Sequence, residues 1–388
     1  RQRYTLMMWR RAFLGRRSTP TRKFSTPSKG MVQTVHGPVT PDSVGPTLMH
    51  EHLVVDYAQN WGCMEDIPGD PALRGTEEEK VLWESPLTVE NAAHNRLFFS
   101  QSKDNMILEG GKDVVSDASR FKKAGGGCIV ECSSDGIRTK GHPGKLKDIS
   151  SQTGLHVVMG TGWYLARTHP EDMERRSVKD LEDKLIADLT GTGEDCDGIC
   201  AGFIGELGCT TDLQPNERKV LHAAARVSRD LGVCISLHPG YSRESPFEAL
   251  RELKDNGADL SRVVMGHVDR GLLTMDDYRR MADLGCVLEF DQFGWGCSYQ
   301  HAINYGIKYP DDFERCHQIK ELADAGYQDQ VVVGQDIAFK IRLTKFGGHS
   351  YDYVWKYATQ YLKKIGADES LLKAIFVDNP KRLLTIAG

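Results

Sequence analysis

The chain has 388 residues, 40% of them hydrophobic, and a formal net charge of −5. That length suits one large α/β domain or two smaller ones, and no run approaches the roughly 18 uninterrupted apolar residues of a membrane span. Residues 1–41 hold nine Lys/Arg and no acid, so residues 42–388 carry −14, an acidic body without the basic stripe that nucleic-acid binding needs.

The first thirty residues, RQRYTLMMWRRAFLGRRSTPTRKFSTPSKG, are rich in Arg, Ser and Thr and lack acids, with Leu6, Trp9 and Phe13 at helical spacing. This composition suits a mitochondrial transit peptide, and equally a disordered basic tail or sequence upstream of the start, since the domain begins directly at Met31. A cytoplasmic protein is expected, or a mitochondrial one if the segment is a transit peptide. Residues 1–30 are set apart from a single domain at 31–388.

Eight short apolar runs follow. They are 46–52 (PTLMHEH), 127–132 (GCIVEC), 155–161 (LHVVMGT), 201–207 (AGFIGEL), 233–238 (VCISLH), 262–267 (RVVMGH), 285–291 (GCVLEFD) and 330–336 (QVVVGQD). Helical periodicity separates many of them, over Val178–Leu189, Glu217–Leu231, Pro246–Asn256, Met275–Leu284 and Asp312–Ala325. Continuous apolar strands alternating with helices indicate a parallel sheet buried on both faces. Eight such units, without a Gly-x-Gly-x-x-Gly turn after the first, predict an α/β fold of the (β/α)8 TIM-barrel type rather than an open dinucleotide-binding sheet. Gly110-Gly111 and Gly125–Gly127 read as loop or helix-end glycines. The long insertion after strand 1, residues 53–126, contains Trp61, Pro68, Pro71 and Pro86, then a helix near 104–123, and is expected to form a lid. The ten cysteines include no C-x-x-C, and Cys128, Cys132, Cys234 and Cys286 read as reduced core residues of an intracellular protein.

Five of the eight runs end in a metal-ligand residue type: His50 and His52, Glu206, His238, His267 and Asp336. His50 and His52 at i and i+2 point to one side of an extended strand. Each residue alone has an ordinary reading. Asp336 suits a helix cap, His238 before Pro239 a turn, His267 a packed strand end and Glu206 a loop acid. Together, at strand ends that converge on one barrel face, four imidazoles and two carboxylates are costly to bury without a cation. His94, His222, His301 and His317 fall on helical or loop stretches and suit surface roles. His142, His169 and His349 sit in loops near the mouth.

HEHL, GFIGELG, ISLHPG, VVMGHVDR and the strand-eight Asp336 together resemble the phosphotriesterase family of the amidohydrolase superfamily, across residues 31–388. One departure stands out: bacterial phosphotriesterases bridge two metals with a carboxylated lysine on strand four, whereas Glu206 stands here, as in the phosphotriesterase-related subgroup. The resemblance implies one divalent cation on His50, His52, Glu206 and Asp336, and a second on Glu206, His238 and His267. Such a donor set suits Zn²⁺, with Mn²⁺, Fe²⁺ and Co²⁺ as alternatives. It further implies hydrolysis by a water activated between the two cations, with Asp336 taking its proton to the leaving group.

The subgroup resemblance also implies a small anionic N-acyl substrate, N-acetyltaurine, split into acetate and taurine, with N-acetyl amino acids as lesser substrates. An anionic substrate needs a cationic clamp, for which Arg270, Lys340, Arg342 and Lys345 are candidates in the loops after strands six and eight. Tyr164, after strand three, is a candidate to line the acyl pocket. A lactonase or phosphotriesterase on the same site is the alternative enzyme, and an inactive metal-stabilised barrel that binds a partner is the alternative of another class. Related barrels are often homodimers, and the composition leaves the oligomeric state open.

Overall fold

The computed structural model describes residues 27–58, 77–296 and 299–388. Its centre is eight short strands: β1 Thr47–Glu51, β2 Cys128–Glu131, β3 His156–Met159, β4 Ile204–Gly208, β5 Ile235–His238, β6 Val263–Met265, β7 Val287–Phe290 and β8 Val331–Val333. Each neighbouring pair from β1 to β3 and from β4 to β8 runs parallel. Backbone hydrogen bonds close both seams. Gly202 N donates to Met159 O at 2.8 Å between β3 and β4, and Asp336 N donates to His50 O at 3.1 Å between β8 and β1. The ring of eight parallel strands is therefore complete, as the alternation of apolar runs predicts.

Side chains alternate across the sheet with the period of a strand. Val130, Val158, Val264, Val287 and Val332 fill the barrel interior together with Cys128, Cys132 and Cys234. Their neighbours Ile129, Val157, Met265, Leu288 and Val331 face outward against the helices. The buried cysteines are free thiols that serve as small apolar fillers, and burial pushes the Cys128 thiol up to about 12.

The outer helices are α1 Lys112–Lys123, α2 His142–Thr153, α3 Val178–Leu189, α4 Pro215–Leu231, α5 Ser245–Asp255, α6 Met275–Asp283 and α7 Asp312–Asp324. Local chemistry sets their ends. Ser177 and Asp180 form a capping box at the start of α3, and Pro215 opens α4 while Gly232, at φ 69°, closes it. No helix among the described residues is long and apolar enough to cross a membrane.

Between β1 and β2 the sequence expectation needs correction. The span 104–123 is not one helix: Asp104–Met106 is a 3₁₀ turn, and Ile107–Glu109 is a strand pairing antiparallel with Val54–Asp56. Gly110, at φ +73°, separates them from α1, and a Cβ there would come within 2.7 Å of the Val54 side chain. Residues 59–76, with Trp61, Pro68 and Pro71, lie outside the described residues, as do residues 1–26. At the N-terminal end of the barrel, the hairpin Val32–Thr34/Gly37–Val39 places Val32 against Leu383 and Leu384.

Candidate metal centre and active-site cavity

At the C-terminal ends of the strands, six predicted residues meet. Glu206 from β4 is their hub. Its Oε2 lies 3.5 Å from His50 Nε2, 3.1 Å from His238 Nδ1 and 3.6 Å from His267 Nε2, and its Oε1 lies 3.5 Å from His52 Nε2. Asp336 closes the other side, with Oδ1 at 3.3 Å from His52 Nε2 and 4.0 Å from His50 Nε2. His238 Nδ1 and His267 Nε2 stand 2.9 Å apart. Gly334 permits this convergence, because a Cβ there would come within 2.7 Å of His50 O where β8 crosses β1.

Hydrogen bonds behind the imidazoles decide which nitrogens face inward. Asp291 Oδ1 lies 2.9 Å from His267 Nδ1, Glu289 Oε2 3.2 Å from His50 Nδ1, and Ser133 Oγ 2.9 Å from His52 Nδ1. A neutral imidazole that donates from Nδ1 keeps its lone pair on Nε2. Three histidines thereby present Nε2 lone pairs to one point, and the Nε2 atoms of His50 and His52 are buried without a hydrogen-bond partner. Orphaned buried nitrogens are rare unless something else satisfies them. This donor set fits divalent cations: imidazole nitrogens and carboxylate oxygens from separate strands, three of the four imidazoles supported from behind.

The electrostatics agree. Burial works to raise the Glu206 pKa, but the surrounding imidazoles of His50, His238 and His267 hold it well below the usual carboxylate range. Asp336 is likewise lowered against burial by the neighbouring imidazoles of His52, His267 and His50. His267 and Asp336 adopt φ of 54° and 51°, a left-handed conformation that costs energy for residues with a Cβ. The packing holds it: Asp291 Oδ2 accepts the His267 backbone N–H at 2.8 Å.

Above the cluster opens a cavity of ≈500 Å³, its mouth included, with Glu206, His238, His267 and Asp336 in its floor. Aromatic rings form the walls, among them Tyr57, Tyr164, Tyr241, Trp295, Tyr309 and Phe339.

The phosphotriesterase-family profile matches residues 30–384. The chain belongs to the phosphotriesterase family. It is 34% identical to the N-acetyltaurine hydrolase of Homo sapiens over 92% of this chain and 98% of that one. The corresponding protein of Tetraodon nigroviridis is 36% identical over the same shares. Among solved structures, a resiniferatoxin-binding protein from Rhodobacter sphaeroides superposes with a TM-score of 0.82 at 32% identity, covering 92% of this chain and 97% of that one. Membership makes this protein a metal-dependent hydrolase by family.

In this phosphotriesterase-family barrel the five substrate-binding candidates separate. Arg270 lines the cavity, with Nη1 donating to Pro239 O at 2.9 Å, Nη2 at 3.2 Å from His238 Nε2, and the guanidinium 4.5 Å from the Tyr241 ring centroid. Tyr164 also lines it, its hydroxyl 3.4 Å from His238 Nδ1. Arg342 does not reach it. The 3₁₀ turn Lys340–Arg342 aims this guanidinium at the carbonyls of Phe293 and Gln335, 4.9 Å from the Trp295 ring centroid. Lys345 is exposed and paired with Asp113 of α1 at 2.8 Å, while Lys340 pairs with Asp104, so neither faces the site. Both loop lysines have acids nearer than the cavity.

Sequence reasoning missed several neighbours. Asp291 ends the seventh run, and Glu289 is an acid inside an apolar strand; each carried a readable signal as a buried carboxylate awaiting a partner. Gln292 lines the cavity and donates to Asp336 Oδ2 at 3.0 Å, a role that nothing in its local sequence shows. His301, read as a surface residue, is buried in the cavity wall with its Nε2 3.4 Å from the Tyr241 hydroxyl. Burial and the Arg270 charge push it down to about 3, so it is neutral. His142 is buried against Glu131 at 3.0 Å rather than placed at the mouth.

Proposed function

We propose that this protein hydrolyses N-acetyltaurine to acetate and taurine, with related N-acetyl amino acids as further substrates, on two divalent cations, Zn²⁺ in first place with Mn²⁺, Fe²⁺ and Co²⁺ as alternatives. One observation carries the reading. The buried guanidinium of Arg270 stands 3.2 Å from His238 Nε2, on the cavity side of the histidine–carboxylate cluster, and no carboxylate pairs with it among the described residues. A buried, unpaired cation is costly, and an anionic substrate supplies the missing charge beside the hydrolytic centre. The names of the relatives, matched over nearly their whole length, support an N-acyl amino sulfonate as that anion.

His50, His52, Glu206 and Asp336 would hold one cation, and Glu206, His238 and His267 the other. When bound, they supply Lewis acidity toward the acyl oxygen and a water acidic enough to act near neutral pH. The protein's own groups do the rest. Arg270 anchors the sulfonate, and Tyr164 lies beside the acyl group. Asp336, held by Gln292 on Oδ2, accepts the proton of the attacking water and returns it to the amine nitrogen. The acyl C–N bond breaks as the new C–O bond forms, water oxygen ends in acetate, and the proton leaves on taurine. An amide needs that proton delivery because an amine anion is a very poor leaving group.

The test is a substrate panel on metal-replete protein: N-acetyltaurine, an N-acetyl amino acid, a lactone and paraoxon. Release of taurine and acetate in equal amounts, faster than opening of the lactone, is expected. Fast lactone opening without taurine release overturns the reading in favour of a lactonase.

A further inference from the structure

His238 has two faces. Its Nδ1 looks into the cluster, 3.1 Å from Glu206 Oε2 and 2.9 Å from His267 Nε2, while its Nε2 looks toward Arg270 Nη2 at 3.2 Å. A neutral imidazole whose Nδ1 lone pair is given to a cation carries its proton on Nε2. Nε2–H and the guanidinium are then both donors and cannot satisfy each other. Two buried donors side by side match two oxygens of one carboxylate or sulfonate.

Arg270 is not free to turn away. Nη1 is tied to Pro239 O at 2.9 Å, and the guanidinium lies 4.5 Å from the Tyr241 ring centroid. Tyr241 is held in turn by His301, whose Nε2 is 3.4 Å from its hydroxyl, and by Tyr305, stacked at 4.2 Å. The acid of a bound substrate therefore has a fixed address on the Nε2 side of His238. Its scissile carbonyl has to lie on the Nδ1 side, beside Glu206 and Asp336. Only the width of one imidazole ring separates the two.

We propose that Arg270 Nη2 and His238 Nε2 form a two-point anion subsite, with the His238 ring as a ruler that restricts substrates to N-acyl amino acids and amino sulfonates whose acid stands one or two carbons from the amide nitrogen. The proposal rests on the hydrolytic reading of the cluster. A third carbon must buckle against Tyr241 and His301, or else pull the carbonyl away from Asp336. Neutral compounds gain nothing from the subsite.

The test is a homologous series on metal-replete protein: N-acetylaminomethanesulfonate, N-acetyltaurine and N-acetylhomotaurine. Calorimetry of the free amines taurine and homotaurine runs beside it. The third carbon is expected to lower kcat/KM by about tenfold or more, mainly through KM, since a pocket discriminates one methylene on that scale. Taurine is expected to bind more tightly than homotaurine by a similar factor. Arg270→Met should abolish both preferences and Arg270→Lys should restore part of them. Arg270→Met also gives up the hydrogen bond to Pro239 O and the Tyr241 contact, so its melting temperature is measured beside the kinetics. Equal kcat/KM or equal affinity across the series overturns the ruler, as does Arg270→Met with the preferences intact, whatever its melting temperature. If N-acetyltaurine is not hydrolysed at all, the functional reading fails while the calorimetric ranking still decides the subsite.

Discussion

Asp291 grips His267 twice, with Oδ1 at 2.9 Å from the ring Nδ1 and Oδ2 at 2.8 Å from the backbone N–H. Both side chains are buried, and the pairing fixes the ring's tautomer as well as the left-handed backbone that aims it at Glu206. Asp291→Asn is therefore expected to weaken metal binding by roughly 10–100-fold, the usual effect of removing a carboxylate behind a ligating histidine. Competition with a chromophoric chelator measures it, and unchanged affinity contradicts the assignment.

Asp336 is expected to matter for rate rather than for substrate affinity. An Asp336→Asn protein keeps an oxygen toward the cluster but has no carboxylate to accept a proton. Its kcat should fall by about 10²–10⁴, with KM nearly unchanged. Steady-state kinetics at saturating metal separates the two constants. A mutant altered only in KM would place Asp336 in substrate binding instead.

Lys345 provides the contrast. Its exposed ion pair with Asp113 is worth only about 0–1 kcal/mol, so Lys345→Met should leave both kcat/KM and melting temperature almost unaltered. A large loss of activity with anionic substrates alone would place this residue in the anion clamp.

How much of this was legible in the sequence divides by physical cause. The strand ends were readable because a buried parallel strand is a continuous apolar run, and a polar residue closing one stands out. His50, Glu206 and Asp336 were found that way. Asp291, closing the seventh run, carries the same mark. Gln292 and His301 could not be placed, since their roles depend on which loop returns over the barrel mouth, not on local periodicity. The placement of Arg342 and Lys345 is hidden for a related reason: charge and loop position are visible in sequence, whereas the carbonyls of Phe293 and Gln335 and the carboxylate of Asp113 that capture them are not.

Acid should expose the buried neutral histidine. The folded pKa of His301 is pushed down to about 3 from an ordinary 6.5 by burial and by Arg270. Between those values the unfolded chain binds a proton that the folded chain does not, so stability is full above the upper value and drains as pH falls toward the lower one. His301→Phe keeps a ring in the wall and removes this linkage. The metal-free variant should lose fewer degrees of melting temperature between about pH 7 and about pH 5, a window that spans the ordinary histidine pKa, than the metal-free wild type. An equal or larger loss contradicts the burial of a neutral imidazole.

If paired cations on the Glu206 hub hydrolyse an N-acyl amino sulfonate, the reaction should follow the metal content of the protein. Taurine release from N-acetyltaurine, as metal-free protein is titrated with Zn²⁺, measures this. No release is expected without metal, followed by a rise that saturates at about two equivalents per chain, the stoichiometry of a two-metal hydrolytic site. Release that survives complete chelation, or that is absent at every loading, would contradict it.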